Sequence, residues 1–259
     1  MANYLFCRNI DQLSLIGSSA VKQHPDPINI WSISVENQLR HITRLEGVLT
    51  PEEKAQAARY HQKKDMLQFI VTRAALRFLL AEVISCRPEE VNIITAAGHH
   101  KPQLSGKTGI YFNISHSNQR AVIAIGTGEI GIDLEYVQPD FEYLSVAEFA
   151  FSAMESDSLL RHENPLKEFF RLWTRKEAFL KGLGTGLIND LKLINCLDNE
   201  NIIPAHVAGV KADWAVTTVE LIPDYLMSIA HEQLPAVKQI NLNTDEDLFT
   251  RSYKSDFSF

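Results

Sequence analysis

Gly131-Ile132-Asp133-Leu134-Glu135 reads as a strand, and its alternation decides how the rest of the chain is arranged. Ile132 and Leu134 fall on one face, so Asp133 and Glu135 share the other, because successive side chains of a strand point to opposite faces. Two carboxylates side by side repel each other unless a cation lies between them. Either they face solvent from an edge strand, or a positive group neutralises them.

Further along, Trp173-Thr174-Arg175-Lys176-Glu177-Ala178-Phe179-Leu180-Lys181 reads as helix. The spacing predicts a start at Asn164 as cap with Pro165 in the first helical position, and a stop at Gly182. Leu166, Phe169, Phe170, Trp173 and Leu180 then form an apolar stripe, with Lys167, Glu168, Arg171 and Arg175 opposite. Glu177 falls on the apolar stripe, flanked by Lys176 and by Lys181, which lies one turn on where the two can meet. A carboxylate there needs a cation or a raised pKa. Three carboxylates without a histidine or thiolate suit a hard ion, and a partial protein set completed by phosphate and water suits Mg²⁺ better than Ca²⁺.

Arg73, Arg77, Lys101, His116, Lys176 and Lys181 are the candidate phosphate contacts, Arg73 and Arg77 lying on one side of a helix. Together with a metal they describe a phosphoryl-transfer centre, where charge is neutralised and little covalent chemistry falls to the protein. Other readings are weaker. Ser115-His116 lacks an acidic third member and a G-x-S-x-G elbow. His99-His100 sits in a turn with the two rings diverging. Gly182-Leu183-Gly184-Thr185-Gly186 follows a helix instead of leading a strand into one, unlike a phosphate loop.

The 259 residues make one large domain or two ordinary ones, and 45% hydrophobic content is that of a globular chain. A net charge of -7 argues against broad affinity for nucleic acid or anionic membranes, so an anionic ligand is held by local clusters. Cys7, Cys86 and Cys196 are widely spaced, with neither a disulfide framework nor a zinc ribbon, which fits a reduced cytoplasmic setting. Met1 to Asp11 lacks the pattern of a signal peptide, and no apolar run approaches the roughly twenty residues of a membrane helix.

Residues 1–28 are expected to be an N-terminal extension, 29–127 and 128–234 two halves of which the second carries the metal ligands, and 235–259 a C-terminal tail. The tail is either loose or docked as an added element. Thr50-Pro51-Glu52-Glu53 opens a helix, and Asp65 to Ser85 forms a longer one. Ile30 to Val35, Gly109 to Ile114 and Val122 to Ile125 read as strands, the last joined to the Asp133 strand at hairpin-like spacing through Gly126 to Gly128. A helix from Tyr143 to Leu160 and strands at Leu191 to Cys196, Trp214 to Leu221 and Tyr225 to Ala230 follow. Tyr111 to Ile125 and Trp214 to Ala230 echo each other as strand-rich segments after a helical region, as two related halves would.

Phe112-Asn113-Ile114-Ser115-His116-Ser117, Gly131 to Glu135 and Trp173 to Lys181, in this order and separation, resemble the Sfp-type 4'-phosphopantetheinyl transferases. Gly98 to Pro102 and Arg73 to Arg77 look similar to that family's basic positions. The resemblance implies an α+β fold of two similar, pseudo-symmetric α/β halves in one chain, with the active site in the cleft between them. It implies transfer of 4'-phosphopantetheine from coenzyme A to a serine of an apo acyl, peptidyl or aryl carrier protein, releasing adenosine 3',5'-bisphosphate. By the motif match Asp133, Glu135 and Glu177 would hold Mg²⁺, and Glu177 would take the serine proton. Lys181 would stabilise the pyrophosphate. Lys176, His116, Ser115, Lys101, Arg73 and Arg77 would bind coenzyme A. Two halves in one chain fit a monomer, and an acidic enzyme would meet an acidic carrier through a local basic or apolar patch. The rivals are a module that binds coenzyme A or a carrier without transfer, and another Mg²⁺-dependent phosphoryl or nucleotidyl transferase.

Overall fold

Strands that are apolar on both faces must be covered on both, and this chain does so by stacking two sheets with helices outside. In the computed structural model, residues 3–11, 14–15, 28–95, 101–106, 108–186, 191–204, 207, 210–232, 240–244 and 248–249 are described. The strands are β1 (Asn3–Asn9), β2 (Ser14–Leu15), β3 (Ile28–Ser34), β4 (Ile93–Ile94), β5 (Gln103–Leu104), β6 (Tyr111–Ser117), β7 (Arg120–Gly126), β8 (Ile130–Tyr136), β9 (Asn199–Ile203), β10 (Trp214–Ile222), β11 (Tyr225–Glu232) and β12 (Ile240–Thr244). The helices are α1 (Val35–Gln38), α2 (Ile42–Gly47), α3 (Pro51–Ala57), α4 (Lys63–Ile84), α5 (Leu144–Ala150), α6 (Ala153–Arg161) and α7 (Pro165–Leu183).

One five-stranded sheet has the order β8-β11-β10-β1-β9, and the other β2-β12-β3-β7-β6. Ile28, Ile30, Val122 and Ala124 of the second sheet meet Ile130, Ile132, Leu134, Met227 and Ile229 of the first in a core between them. Trp31, Ile33, Ala121 and Ile123 turn the other way onto α4, and Leu5, Trp214, Val216 and Ala230 onto α7. The two sheet-containing halves expected from the sequence are therefore present, and the echoing segments are the hairpins β6–β7 and β10–β11, one in each sheet.

Several expectations are corrected. Residues 1–28 do not all lie outside the fold: β1 pairs parallel with β10 and antiparallel with β9, in the middle of the Asp133 sheet. Of the tail, the described residues 240–244 and 248–249 are docked: β12 pairs parallel with β3 in the opposite sheet, and Phe249 packs edge-on against Phe78 while its carbonyl accepts from Arg44. Each half thus contains a strand from the far end of the chain, a pairing that local periodicity does not encode. The link after β7 is not a hairpin either. β8 passes into the other sheet and pairs with β11, because its apolar face is buried by stacking onto β7, not by lying beside it.

The helix expected over Tyr143 to Leu160 is two helices, since Ser152 accepts from the Glu155 amide and the Glu155 carboxylate accepts from the Ser152 amide, a capping box that restarts the chain. Leu191–Leu193 is a single 3₁₀ turn, not a strand, and the edge strand β9 comes later. Helix α7 begins as expected, with the Asn164 side chain accepting from the Lys167 amide. It runs through Gly182 and stops at Gly184, whose φ of 72° is the left-handed stop.

Gly182 is needed for a different reason. A Cβ on it would lie 2.5 Å from Trp214 Cζ3, and a Cβ on Gly131 would lie 2.0 Å from the Ala178 carbonyl oxygen. Two facing glycines bring the backbones of β8 and α7 together, and this close approach places the Glu177 helix directly over the Asp133 face.

Candidate active site

The site lies where β8, the edge of one sheet, runs beside β6, the edge of the other. No backbone ladder joins them. Three side chains at alternate positions of β6 reach over instead. The Ile132 amide donates to Asn113 Oδ1 at 2.9 Å, Ser115 donates to Asp133 Oδ1 at 3.0 Å, and Ser117 donates to Glu135 Oε2 at 2.9 Å. The Ser117 hydroxyl also accepts from the Tyr136 amide. The polar residues of Asn113-Ile114-Ser115-His116-Ser117 are thus a seam between halves, and they fix the two carboxylates of β8. Asn113 and Ser117 had not been singled out, although their period of two with Ser115 marks a single strand face.

Helix α7 covers the same face. Lys181 Nζ lies 2.6 Å from Asp133 Oδ1 and 2.9 Å from Ser115 Oγ. It stands one turn beyond Glu177, where the two can meet, and its ammonium pairs with Asp133. Asp133 is 3% exposed, and its second oxygen, Oδ2, is buried without a hydrogen-bond partner among the described residues. Glu135 and Glu177 are half-buried beside it. Burial pushes the Asp133 carboxyl up, against the opposing pull of Lys181 and Ser115. Burial and then the Asp133 charge raise Glu135 to about 7, and the same two causes raise Glu177. His116, on the opposite strand face from Ser115, is lowered by desolvation and then by the Lys181 charge.

The rotation of α7 is set by a buried polar chain. Arg175 Nε donates to Thr218 Oγ1 at 3.0 Å, Thr218 and Ser228 are 2.9 Å apart, Ser228 and Thr174 are 2.9 Å apart, and Thr174 donates to the Arg171 carbonyl. Each hydroxyl has one proton, so the ends fix the direction: Thr218 donates to Ser228 and Ser228 to Thr174. Ser228 is the register partner of Asp133, a neighbourhood visible only once β8 and β11 are paired. The face of α7 opposite the apolar stripe is solvated only at Lys167, which pairs with Glu220. Arg175 is fully buried, donating also to Asp198, Asn9 and the Cys196 carbonyl, and Glu168 is buried against Arg171 and Ser158.

The other cations divide. Lys176 is not brought to the carboxylates: it is 1% exposed, with Nζ 2.9 Å from Glu155 Oε2 and donating to the Leu191 and Ile194 carbonyls. Its helix position turns it towards the chain after α7, so it braces that chain and does not flank a ligand. Arg77 is likewise committed, at 2.7 Å from Glu53 and donating to the Pro88 and Val91 carbonyls. Lys101 donates to Glu129 at 2.6 Å and to the Gly182 carbonyl at 3.0 Å, tying the first half to the end of α7. Arg73, 3.5 Å from Glu53, lines a hollow with Arg77, Asn92, Thr95 and Pro102 and is the less committed of the two arginines there. His99 and His100 lie outside the described residues.

Lys176→Met is expected to cost about 3–5 kcal/mol of stability, because Glu155 is then buried without its cation. The loss should appear in denaturant unfolding. At a temperature where the variant is folded, turnover should stay within a few-fold of wild type.

The donor set fits a hard cation on two observations, the orphaned Oδ2 of Asp133 and three electrostatically linked carboxyls all displaced upward. Among the described residues no three ligating side chains are already gathered at metal distance.

Residues 31–127 match the family model described as 4'-phosphopantetheinyl transferase, N-terminal, and residues 129–230 that of the 4'-phosphopantetheinyl transferase superfamily. Among curated relatives, slr0495 of Synechocystis sp., provisionally named a 4'-phosphopantetheinyl transferase, is 33% identical over 80% of this chain and 87% of its own. The 4'-phosphopantetheinyl transferase HetI of Nostoc sp. is 30% identical over 77% and 84%, and psf-1 of Bacillus pumilus, of the same name, is 27% identical over 86% and 96%. The chain belongs to the 4'-phosphopantetheinyl transferase superfamily. Among the described residues no helix is long and apolar enough to cross a membrane.

Proposed function

We propose that the chain transfers 4'-phosphopantetheine from coenzyme A to a serine of an apo acyl, peptidyl or aryl carrier protein. The observation that carries this reading is the seam itself: two carboxylates of β8 are fixed by Ser115 and Ser117 of the other half and covered by a helix bearing Glu177 and Lys181. The carrier's serine oxygen bonds to the phosphorus that bears pantetheine, the bridging P–O bond breaks, and adenosine 3',5'-bisphosphate leaves.

Glu177, half-buried with a raised pKa, is the group that accepts the serine proton. Lys181 and Ser115 hold the pyrophosphate oxygens, and His116 and Arg73 contact the rest of coenzyme A. Lys101 and Arg77 support that surface from behind. Asp133, Glu135 and Glu177 would hold Mg²⁺, which supplies charge neutralisation on the pyrophosphate as the bridging bond breaks. The three free cysteines and the two-halved single chain support a cytoplasmic monomer. Chromatography of a reaction with coenzyme A, Mg²⁺ and apo carrier should show adenosine 3',5'-bisphosphate accumulating only when the carrier has its acceptor serine. Bisphosphate release without carrier, or none across acyl, peptidyl and aryl carriers, would reject the reading.

The raised carboxyls also predict a pH dependence. Glu135 moves from 4.5 to about 7, so the metal-free folded state binds more protons than the unfolded chain between those values, and stability falls as pH rises through that window. Glu168 and Asp198, which are lowered, act below it, and His116, lowered from 6.5, opposes the fall only at its acid end, where Asp133 and Glu177, both raised, add to it. Thermal unfolding in chelator should therefore show a lower midpoint at about pH 7.5 than at about pH 5.5, with a flatter profile in Glu135→Gln. A midpoint that rises over this range would contradict the assigned shift.

A further inference from the structure

We infer that Lys181 is a place-holding cation: it occupies Asp133 until a divalent ion takes that carboxylate, and is thereby released to the phosphate of the substrate. The inference rests on the metal and coenzyme A reading above, and adds a competition that the reading does not contain. Its basis is the distribution of partners around one buried carboxylate. Oδ1 already accepts from Ser115 and from Lys181, at 3.0 and 2.6 Å, while Oδ2 has no partner among the described residues. A carboxylate 3% exposed cannot remain ionised without a positive neighbour, and the ammonium nearest to it is that of Lys181.

A divalent cation at Asp133 brings two charges to a position beside the one already there. At contact distances two like charges repel strongly even at the effective dielectric of a protein surface. Lys181 must move off, and it can. Its side chain is 31% exposed, whereas Asp133 is anchored in the middle of β8. Among the described residues the other partner of the Lys181 ammonium is the Ser115 hydroxyl, which can hydrogen-bond a phosphate oxygen equally well. Loading the site therefore converts an internal ion pair into an outward-facing ammonium next to a new positive centre, the arrangement a pyrophosphate requires. The same pairing accounts for a constellation with the right donors but without three of them gathered at metal distance.

The consequence is opposite to the ordinary expectation for a residue of the site: removing Lys181 should improve metal binding. The test titrates the free protein with Mn²⁺ in the absence of coenzyme A and reads the unbound ion by electron paramagnetic resonance. Lys181→Ala and Lys181→Met should bind Mn²⁺ about tenfold more tightly than wild type, while Lys181→Arg, which keeps the charge, should stay near wild type. In the two neutral variants coenzyme A should bind more weakly than to wild type once the protein is saturated with Mn²⁺, the state in which Lys181 is released to the phosphate. Thermal unfolding of each variant confirms that it is folded before titration.

Equal or weaker Mn²⁺ binding by both neutral variants would overturn the inference. So would a Lys181→Ala gain that persists after Asp133→Asn, since the competition is then not for Asp133. Failure of the transferase reading is seen separately: wild-type protein would release no bisphosphate with any carrier, whatever the Mn²⁺ titrations show.

Discussion

Asp133→Asn is expected to lower transfer to an apo carrier by about 10³-fold while leaving the melting temperature of the metal-free protein at or above that of wild type. Loss of function without loss of stability follows from where the charge sits. Asp133 lies in a buried position that raises its own pKa, and after their own burial its charge raises those of Glu135 and Glu177. Neutralising it relieves that repulsion, and the partner it deprives, Lys181, is partly solvated. The near-isosteric amide can still accept from Ser115, so the seam between β6 and β8 persists. Sites that concentrate like charge trade stability for function in this way. Glu177→Gln should show the same combination, with the loss in kcat more than in the affinity for coenzyme A, because the proton acceptor matters only when the serine reacts. Turnover within a few-fold of wild type in both variants would remove these carboxylates from the mechanism.

Gly131→Ala has a large effect of the opposite kind. Its Cβ would lie 2.0 Å from the Ala178 carbonyl oxygen and 2.2 Å from the Gly182 amide nitrogen. Both obstacles are backbone atoms in the last turns of α7, which cannot yield as the end of a flexible side chain does. The helix must lift off β8, and the cost should exceed about 3 kcal/mol, at the severe end for one methyl group. The lift also separates Lys181 from Asp133, so residual folded protein should be inactive. Denaturant unfolding measures the first effect and carrier labelling the second. A Gly131→Ala protein with wild-type stability and turnover would mean that β8 and α7 are not in this contact.

These two variants also mark what the sequence could and could not show. Alternation in Gly131 to Glu135 is a local property, so the pairing of Asp133 with Glu135 on one face was legible, as were the starts of α3 and α7 from their Thr50 and Asn164 caps. Lys176 and Lys181 stand in the same motif with the same chemistry. Only the packing around α7 separates them, sending one to Glu155 and the other to Asp133. The exchange of β1 and β12 between the sheets was not legible, because each strand pairs with a segment from the far end of the chain. The Asn113, Ser115 and Ser117 seam was half legible. Its period of two was present, but its partner strand was not identifiable without the crossing from β7 to β8.

The measurement that bears most directly on the account is the intact mass of an apo carrier protein after incubation with the enzyme, coenzyme A and Mg²⁺, alongside the same carrier with its acceptor serine changed to alanine. The account predicts a gain of one phosphopantetheine on the serine carrier, none on the alanine carrier, and a rate lowered about 10³-fold by Asp133→Asn. No gain on any carrier class, or a gain unaffected by Asp133→Asn, would contradict it.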